Sequence, residues 1–270
     1  MRGSSLVPWV GLSGLLLVLL AWHAGALVSH PLVMPSPLAT FTALGRLWAS
    51  GAVATAVVHT LAHALGGFAL ALLLGVTLGL LAGVQPVVRA LVHPVVGVVQ
   101  GVPPIAWIVL ALLWFGTGER TATFTVMAAT LPLLIITTIG GVHHTDPLLI
   151  QMARSYNAPA SLVLRDIYLP HLAAYLFPTI VVGLGQSWKI ALMAELLSGA
   201  RGIGEHLGVA RVNLDTAAVF AWIVIVLSLM FLVEYLIVFP LQRWIEPWRH
   251  RGDRQPELSS RADVRIKPTG

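Results

Sequence analysis

The 270-residue sequence has no cysteine, only two lysines (Lys189 and Lys267), and few charges of either sign: Asp, Glu, Lys and Arg make up 10% of it. Soluble domains carry about 25%. So little charge cannot cover a globule in water, which excludes an ordinary cytosolic enzyme. The 57% hydrophobic content excludes disorder. Without cysteine there are no disulfides, thiolate metal sites or cysteine nucleophile. No G-x-x-x-x-G-K-[ST] phosphate loop is present, so the chain does not hydrolyse ATP by that route. Nor does the basic excess, 16 Lys+Arg against 11 Asp+Glu, describe a nucleic-acid groove. Seven of the 16 basic residues follow residue 240, which makes a basic tail rather than a basic face.

What the sequence does have is apolar length. A membrane helix needs roughly 20 mostly apolar residues, and six segments qualify: about 6–28, 52–82, 87–115, 121–142, 172–197 and 217–241. The expected fold class is therefore an all-α polytopic membrane protein, with a transmembrane domain over 1–248 and a basic tail over 249–270. The second and third spans exceed a perpendicular crossing, and tilt or a break absorbs the excess; Pro103-Pro104 is the obvious place to break the third. The first span has a competing reading as a signal peptide, from Arg2, an apolar core and Ala24-Gly25-Ala26. With the N-terminus inside, Arg2, Arg89, Arg154, Arg165 and the seven tail residues face the cytoplasm, and Arg46, Arg120, Arg201 and Arg211 face out. Eleven against four places both termini in the cytoplasm. The outer segment 198–215 reads as a Gly-rich loop with four charges. No internal repeat is evident, which counts against a secondary transporter.

The longest cytoplasmic connection, 142–171, carries local signals of its own. Asp146-Pro147 is a helix start, with Asp as N-cap and Pro in the first turn. Leu148, Leu149, Met152 and Tyr156 then form one apolar stripe, away from Gln151 and Arg154. Asn157 suits a left-handed end and Pro159 prevents continuation. A second short helix, 161–167, is expected before Leu169-Pro170 and the fifth span. By itself such a two-faced helix could simply cap a bundle.

The segment Gln151-Met152-Ala153, Asn157, Ile167-Tyr168-Leu169-Pro170 resembles the coupling motif of binding-protein-dependent ABC transporter permeases. That pattern is Glu-Ala-Ala, three residues, Gly, nine residues, Ile, one residue, Leu-Pro. Ala153, Ile167, Leu169 and Pro170 match in register. Gln151, Met152 and Asn157 stand in for Glu, Ala and Gly, and Asn is the best replacement for Gly in a left-handed turn. Further stretches look like the nitrate/sulfonate/taurine subgroup: Pro35-Ser36-Pro37, Gly101-Val102-Pro103-Pro104-Ile105-Ala106, Leu113-Trp114-Phe115-Gly116, Ser187-Trp188-Lys189, Ala194-Glu195 and Gly202-Ile203-Gly204.

The resemblance implies a type I importer-like permease in a bacterial-type inner membrane. It implies a second permease subunit, expected to be a second copy of this chain, two cytoplasmic ABC ATPase subunits and an extracytoplasmic substrate-binding protein. Gln151, Met152, Ala153, Arg154, Tyr156, Asn157, Ile167, Leu169 and Pro170 would make the coupling contact. The permease would bind no cofactor or metal itself, ATP and Mg belonging to the partner ATPase. It would be a non-catalytic subunit for a small polar or anionic solute such as nitrate, bicarbonate, a sulfonate like taurine, or a thiamine-precursor-like compound.

Ionisable residues inside spans are costly and therefore functional candidates. Lys189 and Glu195 lie in the fifth span and Glu234 in the sixth. Lys189 and Glu195 are about 240° apart around the helix, whereas Gln186 and Lys189 share a face. Path candidates are accordingly Gln100, Pro103, Pro104, Trp107, Gln186, Trp188, Lys189 and Glu195. For Glu195 the family resemblance implies gating or loop anchoring, and each candidate has a bland alternative: ion pairing or packing for Lys189, plain structural hydrogen bonding for Glu195, a packing kink for the prolines. Gly75, Gly79 and Gly83, with Gly97 and Gly101, have small-xxx-small spacing, which serves packing within the chain or, alternatively, a dimer interface. His59 and His63 share a face but lack an evident third metal ligand. Trp9, Trp22, Trp244 and Trp248 fall near span ends, where aromatic belts occur. Two other function classes remain in view: a membrane-embedded lipid-modifying enzyme built on His143, His144 and Asp146, and a self-sufficient channel or secondary transporter.

Overall fold

The computed structural model describes residues 7–233 and 235. Glu234, Trp244, Trp248 and the basic tail lie outside the described residues, as does the side chain of Trp9. The described chain is helical: α1 (Val7–Val28), α2 (Pro37–Ala49), α3 (Ala52–Val84), α4 (Pro86–Gln100), α5 (Pro104–Phe115), α6 (Glu119–His143), α7 (Pro147–Ser155), α8 (Ala160–Val163), α9 (Leu169–Ser198), α10 (Ile203–Val212) and α11 (Thr216–Val233). Two units are distinguished, residues 1–228 and 229–270. Of the second, the end of α11 and Tyr235 are described. Among the described residues, Ala52–Val84, Glu119–His143 and Ala160–Ser198 are long and apolar enough to cross a membrane, and the apolar pair α4–α5, bent by 100°, has the form of a broken span or a re-entrant loop. Shorter apolar helices cover Leu16–Val28 and Thr216–Leu232.

The core is built on α3, α6 and α9. A Cβ added at Gly67, Gly75, Gly79 or Gly83 would stand 2.5–2.7 Å from the Cβ of Val126, Leu134, Thr138 or Val142. The partners advance in the same steps, so α3 and α6 run parallel with their backbones pressed together along most of their length. The small-residue stripe of α3 is therefore filled from within the chain. Gly97 has nothing within 4 Å of the Cβ position, and a Cβ at Gly101 would meet only its own preceding turn. α9 runs antiparallel to both. Phe68 packs into the notch at Gly183, and at one end Val142 of α6 meets Leu172 and Leu176 of α9. At the other end Gly118 N–H donates to the Ser198 carbonyl at 3.2 Å.

Proline sets the breaks. Gln85, preceding Pro86, is extended (φ −107°, ψ 114°) and ends α3. Arg89 turns back to donate to the Ala82 and Gly83 carbonyls at 3.2 and 2.8 Å, satisfying orphan acceptors there. At the next break, α4 tightens to i→i−3 bonds (Gly101 to Val98, Val102 to Val99). Pro103 is extended, Pro104 opens α5, and the two helix axes differ by 100°. Both prolines lack the N–H that a continuous helix would need.

Two sequence expectations change. The short helix expected over 161–167 is not separate. α8 continues through a π turn, Leu164–Tyr168, directly into α9. Pro170 has no N–H to give the Asp166 carbonyl, and the backbone widens just before it, Leu169 N–H bonding to Leu164 O. The segment expected as a Gly-rich loop after α9 contains α10.

Candidate functional site

At one end of the bundle, α7 is a rigid, two-faced helix set between α6 and α9. Asp146 Oδ1 accepts from Leu148 N–H at 2.8 Å. The far end closes by a paired turn: Ala158 N–H bonds Ala153 O at 2.9 Å and Asn157 N–H bonds Arg154 O at 3.0 Å, with Asn157 left-handed at φ 49°. These two bonds are a Schellman motif. Ala153 is buried, while Leu148, Leu149, Met152 and Tyr156 are 67%, 43%, 52% and 82% exposed. An apolar stripe on a fixed helix thus stands open. Gln151 and Arg154 are exposed beside it. Ile167, Leu169 and Pro170 lie in the π turn and first turn of α9, which carry the strand of chain leaving α7 straight into the long helix. The His143, His144 and Asp146 group is engaged locally: Asp146 caps α7, and His144 Nδ1 sits 2.8 Å from Gly140 O while its ring stacks on Tyr175.

Along α9, Val182, Gln186, Lys189, Met193 and Leu197 are exposed and follow one another at steps of three or four residues, hence on one face. Among the described residues no carboxylate lies within ion-pair distance of Lys189. Gln100 and Pro103 are exposed at the α4–α5 bend, and Pro104 and Trp107 are half-buried. Trp188 is buried, with no acceptor for its indole N–H, and the indole N–H of Trp107 has none either.

Glu195 is different. It is 0% exposed and its carboxylate is enclosed by donors. Oε2 accepts from Thr60 Oγ1 at 2.8 Å and from Gly204 N–H at 3.0 Å; Oε1 lies 2.8 Å from His63 Nδ1. Thr60 Oγ1 also accepts from Ile203 N–H at 2.9 Å. The carboxylate thus caps the first turn of α10, where free N–H groups favour an anion. The loop is shaped around it: Gly202 has φ 152°, and a Cβ there would run into the Glu195 carboxyl group. His63 in turn borders a crevice of about 500 Å³ that is also lined by His59, Glu119, Arg120, Phe115 and Phe124; His59 and Glu119 approach to 3.9 Å. Sequence pattern does not single out Thr60, and His63 reads there only as a candidate metal ligand. The one local signal is that the two are three apart and share a face of α3. Trp22, near the end of α1, donates to the Pro35 carbonyl at 3.0 Å and stacks on Phe220.

Residues 71–251 match the family of binding-protein-dependent transport system inner membrane components. The riboflavin transport system permease protein RibX of Chloroflexus aurantiacus is 31% identical over 87% of this chain and 88% of its own length. The taurine transport system permease protein TauC of Escherichia coli K12 is 30% identical over 57% of this chain, an alignment that spans 55% of TauC. A crystal structure of an amino acid ABC transporter with histidines superimposes with a TM-score of 0.61 at 14% identity, covering 75% of this chain and 96% of that one; that likeness concerns the fold. With two thirds of its length matched, the chain belongs to the family of binding-protein-dependent transport system inner membrane components.

Proposed function

We propose that this chain is the permease subunit of an ATP-driven importer, that it crosses the membrane six times with both termini in the cytoplasm, and that α7 is the element through which partner ATPases drive it. The exposed stripe of α7 carries the reading. Four large apolar side chains on a helix capped at both ends are costly to leave in water, and a groove on a soluble ATPase is the partner that family membership supports. The helix is joined on both sides to long membrane helices, α6 through a three-residue turn and α9 through the continuous helix from Ala160. A push on α7 is therefore a push on α9.

The exposed face of α9 supports a path beside it. An ammonium at Lys189 facing lipid would be expensive, so water or a second permease subunit covers this face. A second copy of the chain, with its own Lys189, would enclose a polar passage bordered by Gln186 and, at the bend, Gln100 and Pro103. The solute class is small and polar or anionic, which the relative named for taurine supports; the relative named for riboflavin extends the range to larger organic solutes. ATP and Mg would be bound by the partner ATPase, and an extracytoplasmic binding protein would deliver the solute.

The test is co-expression with the candidate ATPase and purification of the complex. Leu148→Asp or Met152→Asp is expected to abolish co-purification and uptake while the chain alone keeps its elution and unfolding profile. Retention of the ATPase and of uptake by both variants would overturn the assignment of α7.

A further inference from the structure

We infer that Thr60, His63 and Glu195 are positioning residues of a latch that makes α10 move as one piece with α3 and α9 during transport. The role rests on the permease reading, because it is α9 that α7 would displace.

A fully buried carboxylate is expensive unless its oxygens are hydrogen-bonded, and among the described residues no Lys or Arg stands within ion-pair distance of Glu195. What the carboxylate provides is direction. Its two oxygens hold three elements at fixed angles: α3 through Thr60 and His63, α9 through its own backbone, and α10 through Gly204 N–H. Thr60 closes the ring by holding the neighbouring amide, that of Ile203. Van der Waals packing alone lets helices slide, and hydrogen bonds of 2.8–3.0 Å do not.

The surrounding chain is built to the same end. A Cβ at Gly204 would stand 2.5 Å from Leu192 O and 2.6 Å from Glu195 Cβ, so α10 lies directly on the last turns of α9. Gly202 takes a backbone conformation that leaves room for the carboxyl group. On its other side α10 is held by His206, whose ring stacks on Trp222 at 4.8 Å. The segment between α9 and α11 is therefore pinned at its start by the latch and along its length by rings and glycines. The latch also stands at the rim of the core, because His63 forms part of the wall of the crevice beside Arg120 and Phe124. It can be altered without emptying the α3–α6–α9 interior.

The absence of cysteine allows a direct test. Spin labels at Val58→Cys on α3 and Val209→Cys on α10, both exposed positions, report the distance across the latch in the full chain in nanodiscs. In the native background, and in the ATPase complex with and without ATP, a single narrow distance that does not change is expected. Thr60→Val, which removes both bonds of that hydroxyl without changing its size, is expected to broaden the distribution, and Thr60→Ser to restore it. Glu195→Gln keeps an acceptor for Thr60 and Gly204 and is expected to stay narrow, whereas Glu195→Leu is not.

Should Glu195→Leu fail to fold, hydrogen exchange in Thr60→Val gives an independent readout. The Ile203 amide is expected to exchange about tenfold faster, as loss of one buried hydrogen bond implies, with the amides of α6 unchanged. A narrow, unchanged distance in Thr60→Val together with unchanged exchange at Ile203 would overturn the latch. A distance that shifts with ATP in the native background would overturn the single-piece motion. Neither readout of the chain alone depends on transport, so loss of ATPase binding or uptake by α7 variants bears on the permease reading and leaves these results standing.

Discussion

The contact between α3 and α6 gives a stability prediction that can be worked from distances. In Gly79→Ala the new Cβ would stand 2.5 Å from Thr138 Cβ, 2.9 Å from Ile135 O and 3.0 Å from Thr138 Cγ2. Thr138 is fully buried, and both short contacts at Cβ and carbonyl are with atoms that cannot rotate away. The helices must part, and because Gly67, Gly75 and Gly83 rest on the same partner, a gap opened at one position loosens the others. A radial gap of even about 0.5–1 Å forfeits a quarter to a half of each dispersion contact. Overpacking of this kind costs about 1–3 kcal/mol. Against it, Ala is better than Gly in a helix by about 1 kcal/mol. Gly97→Ala isolates that second effect, since no atom lies within 4 Å of its Cβ position. The two variants share the propensity gain and differ by the clash, so Gly79→Ala should be less stable than Gly97→Ala by about 1–3 kcal/mol. Reversible unfolding of the chain in mixed micelles, followed by tryptophan fluorescence, measures the difference. The double variant Gly79→Ala/Thr138→Gly moves the Cβ to the other helix and should recover part of the loss. Equal stability of Gly79→Ala and Gly97→Ala would refute the close approach of α3 and α6.

Other substitutions test the ends of α7, the exposed lysine and the loop around Glu195. Asp146→Ala removes the N-cap bond and should loosen the first turn of α7 by about 1 kcal/mol, read as faster hydrogen exchange at the Leu148 amide. Asn157→Gly should preserve the left-handed turn, whereas Asn157→Val should cost about 1–2 kcal/mol locally and reduce ATPase co-purification; equal behaviour of the two would contradict the role of the turn. Lys189→Met should leave unfolding unchanged or slightly favourable, since no carboxylate among the described residues pairs with it, while uptake by the reconstituted complex falls sharply; unaltered uptake would remove Lys189 from the path. Gly202→Ala should destabilise the chain by about 1 kcal/mol or more, the cost of a side chain at a positive-φ extended position that essentially only glycine adopts, before the collision with Glu195 is counted, and thermal unfolding measures it.

What the sequence discloses depends on how local each device is. The start and stop of α7 are encoded within three or four residues of where they act: Asp146 bonds the amide two residues on, and Asn157 needs only its own φ. The break of the third span is likewise local, since Pro103 and Pro104 lack donors whatever surrounds them. The glycine spacing in α3 announces a close helix contact but cannot say with what. Its partner, α6, is separated by the whole of α4 and α5, and only the three-dimensional register decides that the stripe faces inward. Glu195 and His63 lie 132 residues apart, and no periodicity links them. A lone intramembrane carboxylate reads as a path residue, and the enclosing donors come from another helix and from backbone amides, which carry no signal in the sequence.

The segment after α9 shows where pattern reading goes wrong and how it can be sharpened. Four glycines in ten residues, Gly199, Gly202, Gly204 and Gly208, have the composition of a flexible loop, yet only the first two serve backbone conformation, with φ of 64° and 152°. Gly204 and Gly208 are four apart on α10 and face Leu192, Glu195 and Leu196 of α9, where a side chain would hold the helices apart. Entropy makes glycine unfavourable in a helix interior, so glycines at helical spacing are retained where close approach repays that cost. Beside a buried carboxylate that needs backbone amides, the same glycines bring the N-terminus of α10 within 3.0 Å of Glu195 Oε2. The two readings of Gly204 are thus one requirement. Substituting Gly204 by Ala should disturb the helix contact and the carboxylate cap together, with exchange rising in the same variant at the Gly208 amide and at the residue-204 amide that bonds Glu195 Oε2; a change at one without the other would show that close packing and capping are separate.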